Sequence, residues 1–480
     1  MTQDAQKRWP MLVPLIVACA LFMENLDSTI IATALPEMAR TFGVSPVRLN
    51  IGITAYILAL AIFIPVSGWI ADRFGGRTVF RAAILTFMLA SVLCGFSNSV
   101  AELTGARILQ GIGGAMMVPV GRLVLLRAVP KNELVRSMAW LTVPALIGPI
   151  CGPPLGGFIT TYFSWRYVFF LNIPFGLLGW VLVTRFIAND RETSPRPLDW
   201  LGFLLTGLAL GLFMYGLDSF THERADEAVI GLLVAGGVLF SILSVLHARR
   251  HPHPLLDLSL LRIPTFAINC DAGSLFRLAT SALPFLLPLL LQVGFGMSAF
   301  ASGLLTFAQA LGAMPMKICA RQILRWLGFR TTLILDATIT SATIGACCFL
   351  TADTPTIVIL LLMFLSGFFR SLQFTSLQSL AYADIPAERM SASTSLGVML
   401  QQVANGVGVA LAALVLQGSL AWRGGTRLEP ADFQVAFLVV AAIAASAVLL
   451  YLRLAPDAAR EVSGHRPRGG RAASLSAPGD

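Results

Sequence analysis

The sequence predicts an all-α membrane protein of fourteen transmembrane helices, and three observations carry that reading. Of its 480 residues 56% are hydrophobic and only 12% charged, where an ordinary soluble domain carries about 25% charged residues. Apolar stretches of about 20 residues, enough to cross a hydrocarbon core, recur along the whole chain. The basic residues gather in alternate connections between those stretches.

A soluble fold cannot bury this much apolar surface, so lipid is the solvent for much of it. The net charge of +9 does not call for nucleic acid, because the charges sit between apolar runs and form no groove-lining stripe. Spans are expected near 11–35, 50–71, 79–97, 102–126, 138–160 and 167–187, then 199–217 and 228–247. Six more follow near 265–292, 300–320, 331–350, 355–379, 393–417 and 433–454. The first apolar run continues too far for a cleavable signal peptide, so it is expected to be retained. The seven cysteines fall within or beside apolar runs, without disulfide or zinc spacing, and read as small packing residues.

An even number of spans puts both termini on one side. With cytoplasmic termini the inner segments carry 23 Lys and Arg, among them Arg73, Arg77, Arg127, Lys131, Arg136, Arg321, Arg325 and Arg330, and the outer loops carry 6. The excess of positive charge inside therefore selects cytoplasmic termini in a bacterial inner membrane. Five basic residues remain inside spans: Arg107, Arg122, Arg277, Lys317 and Arg370.

Arg73-Phe74-Gly75-Gly76-Arg77-Thr78 after the second span is echoed by Trp326-Leu327-Gly328-Phe329-Arg330-Thr331 after the tenth. The echo fits two parallel six-helix halves, 1–188 and 264–454, with two inserted helices and their linkers at 189–263. The Arg-, Gly-, Ser- and Pro-rich segment 455–480 is expected to be a disordered cytoplasmic tail. Parallel repeats flanking a midplane site are a transporter architecture.

Five ordered motifs agree with that architecture. Gly68-Trp69-Ile70-Ala71-Asp72-Arg73-Phe74-Gly75-Gly76-Arg77 reads physically as a tight turn with charges at a helix end. Its spacing resembles the signature loop of the major facilitator superfamily. Leu26-Asp27-Ser28-Thr29-Ile30 resembles the first-helix motif of the fourteen-span drug:proton antiporters of that superfamily, the EmrB/QacA group. Arg107-Ile108-Leu109-Gln110-Gly111 resembles their fourth-helix motif. Gly148, Gly152, Pro153, Gly156 and Gly157 resemble the antiporter motif, and Trp165-Arg166 with Asn172-Ile173-Pro174 follow in order. The branch resembled is that of the MdtD/HsrA-type exporters. The resemblance implies the major facilitator fold and proton-coupled export of small organic molecules by alternating access. It also implies that Gly68, Asp72, Arg73, Gly75 and Arg77 form a conformational latch. The small residues of the antiporter motif equally serve close helix packing in any membrane bundle.

A charge at the bilayer centre costs at least about 2.5–3.5 kcal/mol, so intramembrane charges are candidates for function. Asp27 lies ~24 Å along an outward-running helix and Arg107 about 5 residues into an inward-running one, which puts them at similar depth. The resemblance makes the first, fourth, ninth and twelfth helices cavity-lining. Asp27, Glu24 and Arg107 are therefore expected to couple protons. Asp27, Arg107, Arg277, Arg370 and Gln373 are expected around a substrate cavity. Interhelical ion pairing is the structural alternative. Glu24 and Arg370 depart from the branch pattern, which leaves two options open: a compensating pair with the acids, or an anion clamp for organic acids or metal chelates. Lys317 and Asp336, near helix ends, are expected to be structural or snorkelling.

His251 and His253 flank Pro252 in an inner loop with no carboxylate or cysteine beside them in sequence, so no metal is expected there. There is no Gly-Lys dipeptide and hence no P-loop, and no G-x-S-x-G or H-E-x-x-H pattern. The expectation is a non-enzyme without cofactors whose partners are a small substrate, protons and lipid. It requires no second chain, so a monomer suffices. A non-transporting sensor or scaffold built on the same fold is the remaining alternative.

Overall fold

The computed structural model describes residues 12–44, 46–189, 197–219, 227–297, 299–425 and 427–465, and every regular element among them is a helix. In lipid a spanning backbone has no water to satisfy its polar groups, and a helix satisfies them within its own segment. The first part comprises α1 (Leu12–Phe42), α2 (Pro46–Phe63), α3 (Ser67–Phe74), α4 (Gly76–Phe96), α5 (Val100–Ala128), α6 (Leu134–Tyr162), α7 (Arg166–Phe170) and α8 (Asn172–Phe186). Then come α9 (Trp200–Ser219) and α10 (Glu227–Arg250). The remainder is α11 (Pro264–Leu289), α12 (Ala299–Ala346), α13 (Thr356–Ala381), α14 (Met390–Arg423), α15 (Pro430–Tyr451) and α16 (Arg460–Ser463).

Among the described residues twelve helical stretches are long and apolar enough to cross a membrane. One of them, Ala301–Phe349, runs 49 residues and is two helices joined across Gly328, whose φ is 74°. That stretch covers the two spans expected near 300–320 and 331–350. The span expected near 138–160 falls on the 29-residue α6, which is not among the twelve.

The packing repeats with an offset of eight spans. α1 lies on α6 and α4 on α5; correspondingly α11 lies on α14 and α12 on α13. α9 packs on α2 and α14, and α10 packs mainly on α9. Only 17% of the most apolar window of α10 is buried, as befits a helix that is apolar on every side.

Both echoed turns hold a glycine at positive φ, Gly75 at 88° and Gly328 at 74°. Each turn is met by the segment that follows the last helix of its own repeat. Asn189 Oδ1 accepts from the Thr78 backbone N–H at 3.2 Å, and His465 Nδ1 lies 3.0 Å from Arg325 O. A side chain at either glycine would run into these two residues. Residues 455–465 differ from the expected disordered tail: α16 packs on α12 and α6, with Val462 3% exposed. Burial of Ala459 and Val462 outweighs the polar composition there. The rest of the expected tail, 466–480, lies outside the described residues.

Candidate functional site

Asp27 on α1 and Arg107 on α5 meet in the interior. Arg107 Nη1 donates to Asp27 Oδ2 at 2.6 Å, and the side chains are 0% and 1% exposed respectively. Two neutral amides complete the acid's partners: Gln110 Nε2 and Asn172 Nδ2 donate to Asp27 Oδ1 at 2.9 and 2.8 Å. Both amides also donate to Ser91 Oγ, at 2.9 and 3.1 Å. Gln110, one turn beyond Arg107 on the same helix face, accepts from Arg107 Nη1 at 2.7 Å. The guanidinium lies over the Tyr56 ring, 4.3 Å from its centroid. A buried ion pair survives desolvation only with such additional bonds, and this network ties α1, α4, α5 and α8 together.

Glu24, one turn before Asp27, faces elsewhere. It lines a cavity of about 250 Å³ together with Asn25, Gly114, Arg122, Gln378 and Gln401. Glu24 is 7% exposed and its Oε2 has no hydrogen-bond partner. Arg122 and Gln378 also line this cavity, and both donate to Gln401 Oε1: the two Arg122 Nη atoms at 3.4 Å, and Gln378 Nε2 at 3.2 Å. Helices of both repeats therefore close around one polar chamber. Sequence reasoning missed Arg122 as a site residue, although it lies four turns beyond Arg107 on roughly the same helix face.

The other expected cavity residues lie apart. Arg277 donates to Asn269 O at 3.1 Å and to Asn269 Oδ1 at 2.8 Å, two turns back on its own helix. Arg370 stands near Lys317, which donates to Thr375 Oγ1 at 2.9 Å. Neither Arg277 nor Arg370 forms an ion pair with Glu24 or Asp27 among the described residues. Gln373 is fully buried with both amide atoms unpartnered. Asp336, expected at a helix end, is only 2% exposed and does not snorkel, because α13 covers it.

The loop motif is engaged at the face where Arg73, Arg77, Arg127, Arg136, Arg321 and Arg325 gather, called here the basic face. Asp72 accepts from Arg127 at 3.0 Å and from the Ser391 hydroxyl on α14. Ser67 Oγ lies 3.0 Å from Ser395 Oγ, and a side chain at Gly68 would strike the Ser391 backbone. Arg73 stacks on Trp69, while Arg77 Nη1 donates to Ile187 O at 3.4 Å. On the other repeat Arg321 pairs with Glu133 at 3.2 Å. The basic face is thus closed on both sides of the chamber. Of the residues expected to form an antiporter motif, Gly148, Gly152 and Gly156 admit α1, with the Leu26 backbone, Thr29 and Ile30 against them, whereas Gly157 meets nothing. The Pro153 side chain lies outside the described residues.

His251 has a neighbour that the sequence did not reveal. Donor atoms of Asp199, His247 and His251 lie within 4.8 Å of one another. Asp199 is already occupied by Gly202 N and His247 Nε2, both at 2.8 Å, and Leu255 N at 3.1 Å. It acts as a knot joining α9, α10 and the following loop.

Comparison with known proteins agrees with this construction. The model of the Major Facilitator Superfamily matches residues 17–409. A candidate multidrug resistance protein, MdtD, of Escherichia coli O6:H1 is 35% identical over 452 residues, covering 93% of this chain and 95% of that one. The MdtD of Citrobacter koseri is 35% identical over 448 residues, covering 92% and 94%. The fold is shared with the human organic anion transporter MFSD10, at a TM-score of 0.65 and 15% identity over 92% of this chain and 99% of that one. A double tryptophan mutant of XylE matches equally well, with a TM-score of 0.65 and 14% identity over 94% and 98%. An all-helical bundle with a polar chamber between two repeats, a fastened signature loop and these relatives lead to one conclusion: the chain belongs to the major facilitator superfamily and is a multi-span membrane transporter.

Proposed function

We propose that this transporter is a proton-driven exporter of small organic molecules, of the fourteen-span drug:proton antiporter kind, in a bacterial inner membrane with cytoplasmic termini. The observation that carries the reading is Glu24, a nearly buried acid with an unpartnered oxygen, facing Arg122 across the inter-repeat chamber. A carboxyl so placed has two uses, holding a proton or attracting a cationic or polar substrate, and cannot serve both at once. Exchange follows from that exclusivity. Substrate enters the chamber from the cytoplasm while Glu24 is ionised. After the chamber has turned outward, a proton taken from outside displaces the substrate, and the protonated carrier turns back. The Asp27–Arg107 network holds α1 and α5 in register while Glu24 changes charge.

One proton crossing about 150 mV supplies about 3.5 kcal/mol, enough for a gradient of a few hundred-fold if coupling is tight. The expected latch residues Gly68, Asp72, Arg73, Gly75 and Arg77 hold the cytoplasmic side shut in the outward phase. Gly148, Gly152, Pro153, Gly156 and Gly157 let α1 and α6 move as a packed pair. The organic-acid alternative rests on Arg277 and Arg370 acting as a clamp. Arg277 turns both its Nη atoms to Asn269 and Arg370 stands with Lys317, which favours neutral or cationic substrates.

The test is flux in proteoliposomes under an imposed pH gradient, screening lipophilic cations against organic acids. Glu24→Gln is expected to lower gradient-driven export at least about tenfold while substrate exchange without a gradient continues. Full gradient-driven export by that variant would overturn the role of Glu24. A preference for organic acids that Arg277→Gln and Arg370→Gln abolish would return the clamp.

A further inference from the structure

A second group of buried polar atoms lies away from the Glu24 chamber, where α12, α13 and α15 meet. Asp336 on α12 is 2% exposed, and neither of its carboxylate oxygens has a hydrogen-bond partner. The Gln373 backbone approaches it without closing a bond. Thr340, one turn along α12 on the same face, and Ser376, one turn beyond Gln373 on α13, are fully buried with unpartnered hydroxyls. Tyr451 on α15 is fully buried too. Its hydroxyl lies beside the Gln373 side chain and within the fields of Asp336 and Arg277 without a closed bond.

The great majority of buried polar groups in native interiors have a partner, and here three helices supply seven atoms without one. The charged and titratable neighbours are few. Tyr451 faces the group from α15, with Arg277 on α11 beyond it. α13 contributes only the neutral Gln373 and Ser376. Lys317 and Arg370 stand together near Thr375, and no ion pair reaches Asp336 among the described residues. A bare carboxylate without donors or counter-charge is not sustained in such surroundings.

We propose that Asp336, Thr340, Gln373, Ser376 and Tyr451 form a site for one monovalent cation, a proton or Na⁺, separate from the Glu24 chamber. The donor set is one carboxylate with an amide and three hydroxyls, all hard oxygens, which suits neither soft nor transition metals. A single carboxylate balances one positive charge, whereas divalent sites bring more anionic oxygens. With a proton as occupant, the acid gains an O–H that donates to one neighbour. With Na⁺, the neutral oxygens turn inward around the ion. Because the group bridges α12, α13 and α15, its occupancy sets how those helices pack. This site rests only on the transporter fold and not on export through Glu24.

Two measurements on the purified full-length protein in lipid nanodiscs separate the occupants and need no transport. Infrared difference spectra across a pH step are expected to contain a carboxylic-acid C=O band that Asp336→Asn removes and Glu24→Gln leaves, if the occupant is a proton. Radiolabelled Na⁺ binding that Asp336→Asn abolishes and Glu24→Gln preserves identifies Na⁺. Tyr451→Phe, which keeps the ring and the acid, is expected to weaken either form of binding by about tenfold. If wild type and Tyr451→Phe behave identically in both assays, and no band or bound Na⁺ depends on Asp336, the proposal falls.

Discussion

Asp27 and Glu24 are one helical turn apart, yet their surroundings give them different work. Asp27 accepts from Arg107, Gln110 and Asn172, so removing its charge leaves a buried guanidinium without its counter-ion. Asp27→Asn is expected to lose gradient-driven export and about 3–5 kcal/mol of stability, read as lower melting in detergent; Glu24→Gln is expected to melt nearly as wild type. Equal melting of Asp27→Asn and wild type would demote the ion pair to a spectator. Asp257, outside the spans, offers a pH test. Burial pushes its carboxyl up, but bonds from Ser259 and Arg389 outweigh that and hold it below the usual carboxylate range. A depressed pKa contributes stability above the ordinary value, and that contribution disappears as pH falls through the depressed one. The melting advantage of wild type over Asp257→Asn is therefore expected at neutral pH and should close in acid. A gap that widens in acid would reverse the sign and reject the assignment.

At the scale of elements, the signature turn decides how firmly the basic face is shut. Asp72 bridges Arg127 on α5 and Ser391 on α14. Asp72→Asn keeps the shape but weakens both charge-assisted bonds. It is expected to raise the labelling rate of a cysteine placed at Ser395 several-fold, from the basic-face side; an unchanged rate would show that Asp72 does not hold the closure. The spans and this turn were legible in the sequence because each leaves a local mark: a run of about 20 apolar residues, or glycines among charges. The similar depth of Asp27 and Arg107 was legible in the sequence, with their pairing open only as the structural alternative. Gln110, Asn172 and Ser91 were not, since neutral polar residues are common in membrane helices and become partners only through packing. Asp336 was read as a helix-end residue because it lies only ~9 Å along the helix from Arg330; what buries it is α13, a contact between helices that a single-helix reading does not contain.

For the whole molecule, orientation follows from charge. Reporter fusions after Arg8 and after Arg453 are both expected to read cytoplasm, because 23 basic residues lie on that side against 6 on the other. A periplasmic signal from either would break the even span count.

The clasped turns at Gly75 and Gly328 also bear on the order of assembly. Each turn lies early in its repeat, yet its clasp, Asn189 or His465, comes only after the last helix of that repeat. On a ribosome releasing the chain from its N-terminal end, neither turn can be fastened until six spans have been made. The clasp at Asn189 closes before α9 exists, so the first bundle can finish its fastening before the inserted helices arrive to pack on it.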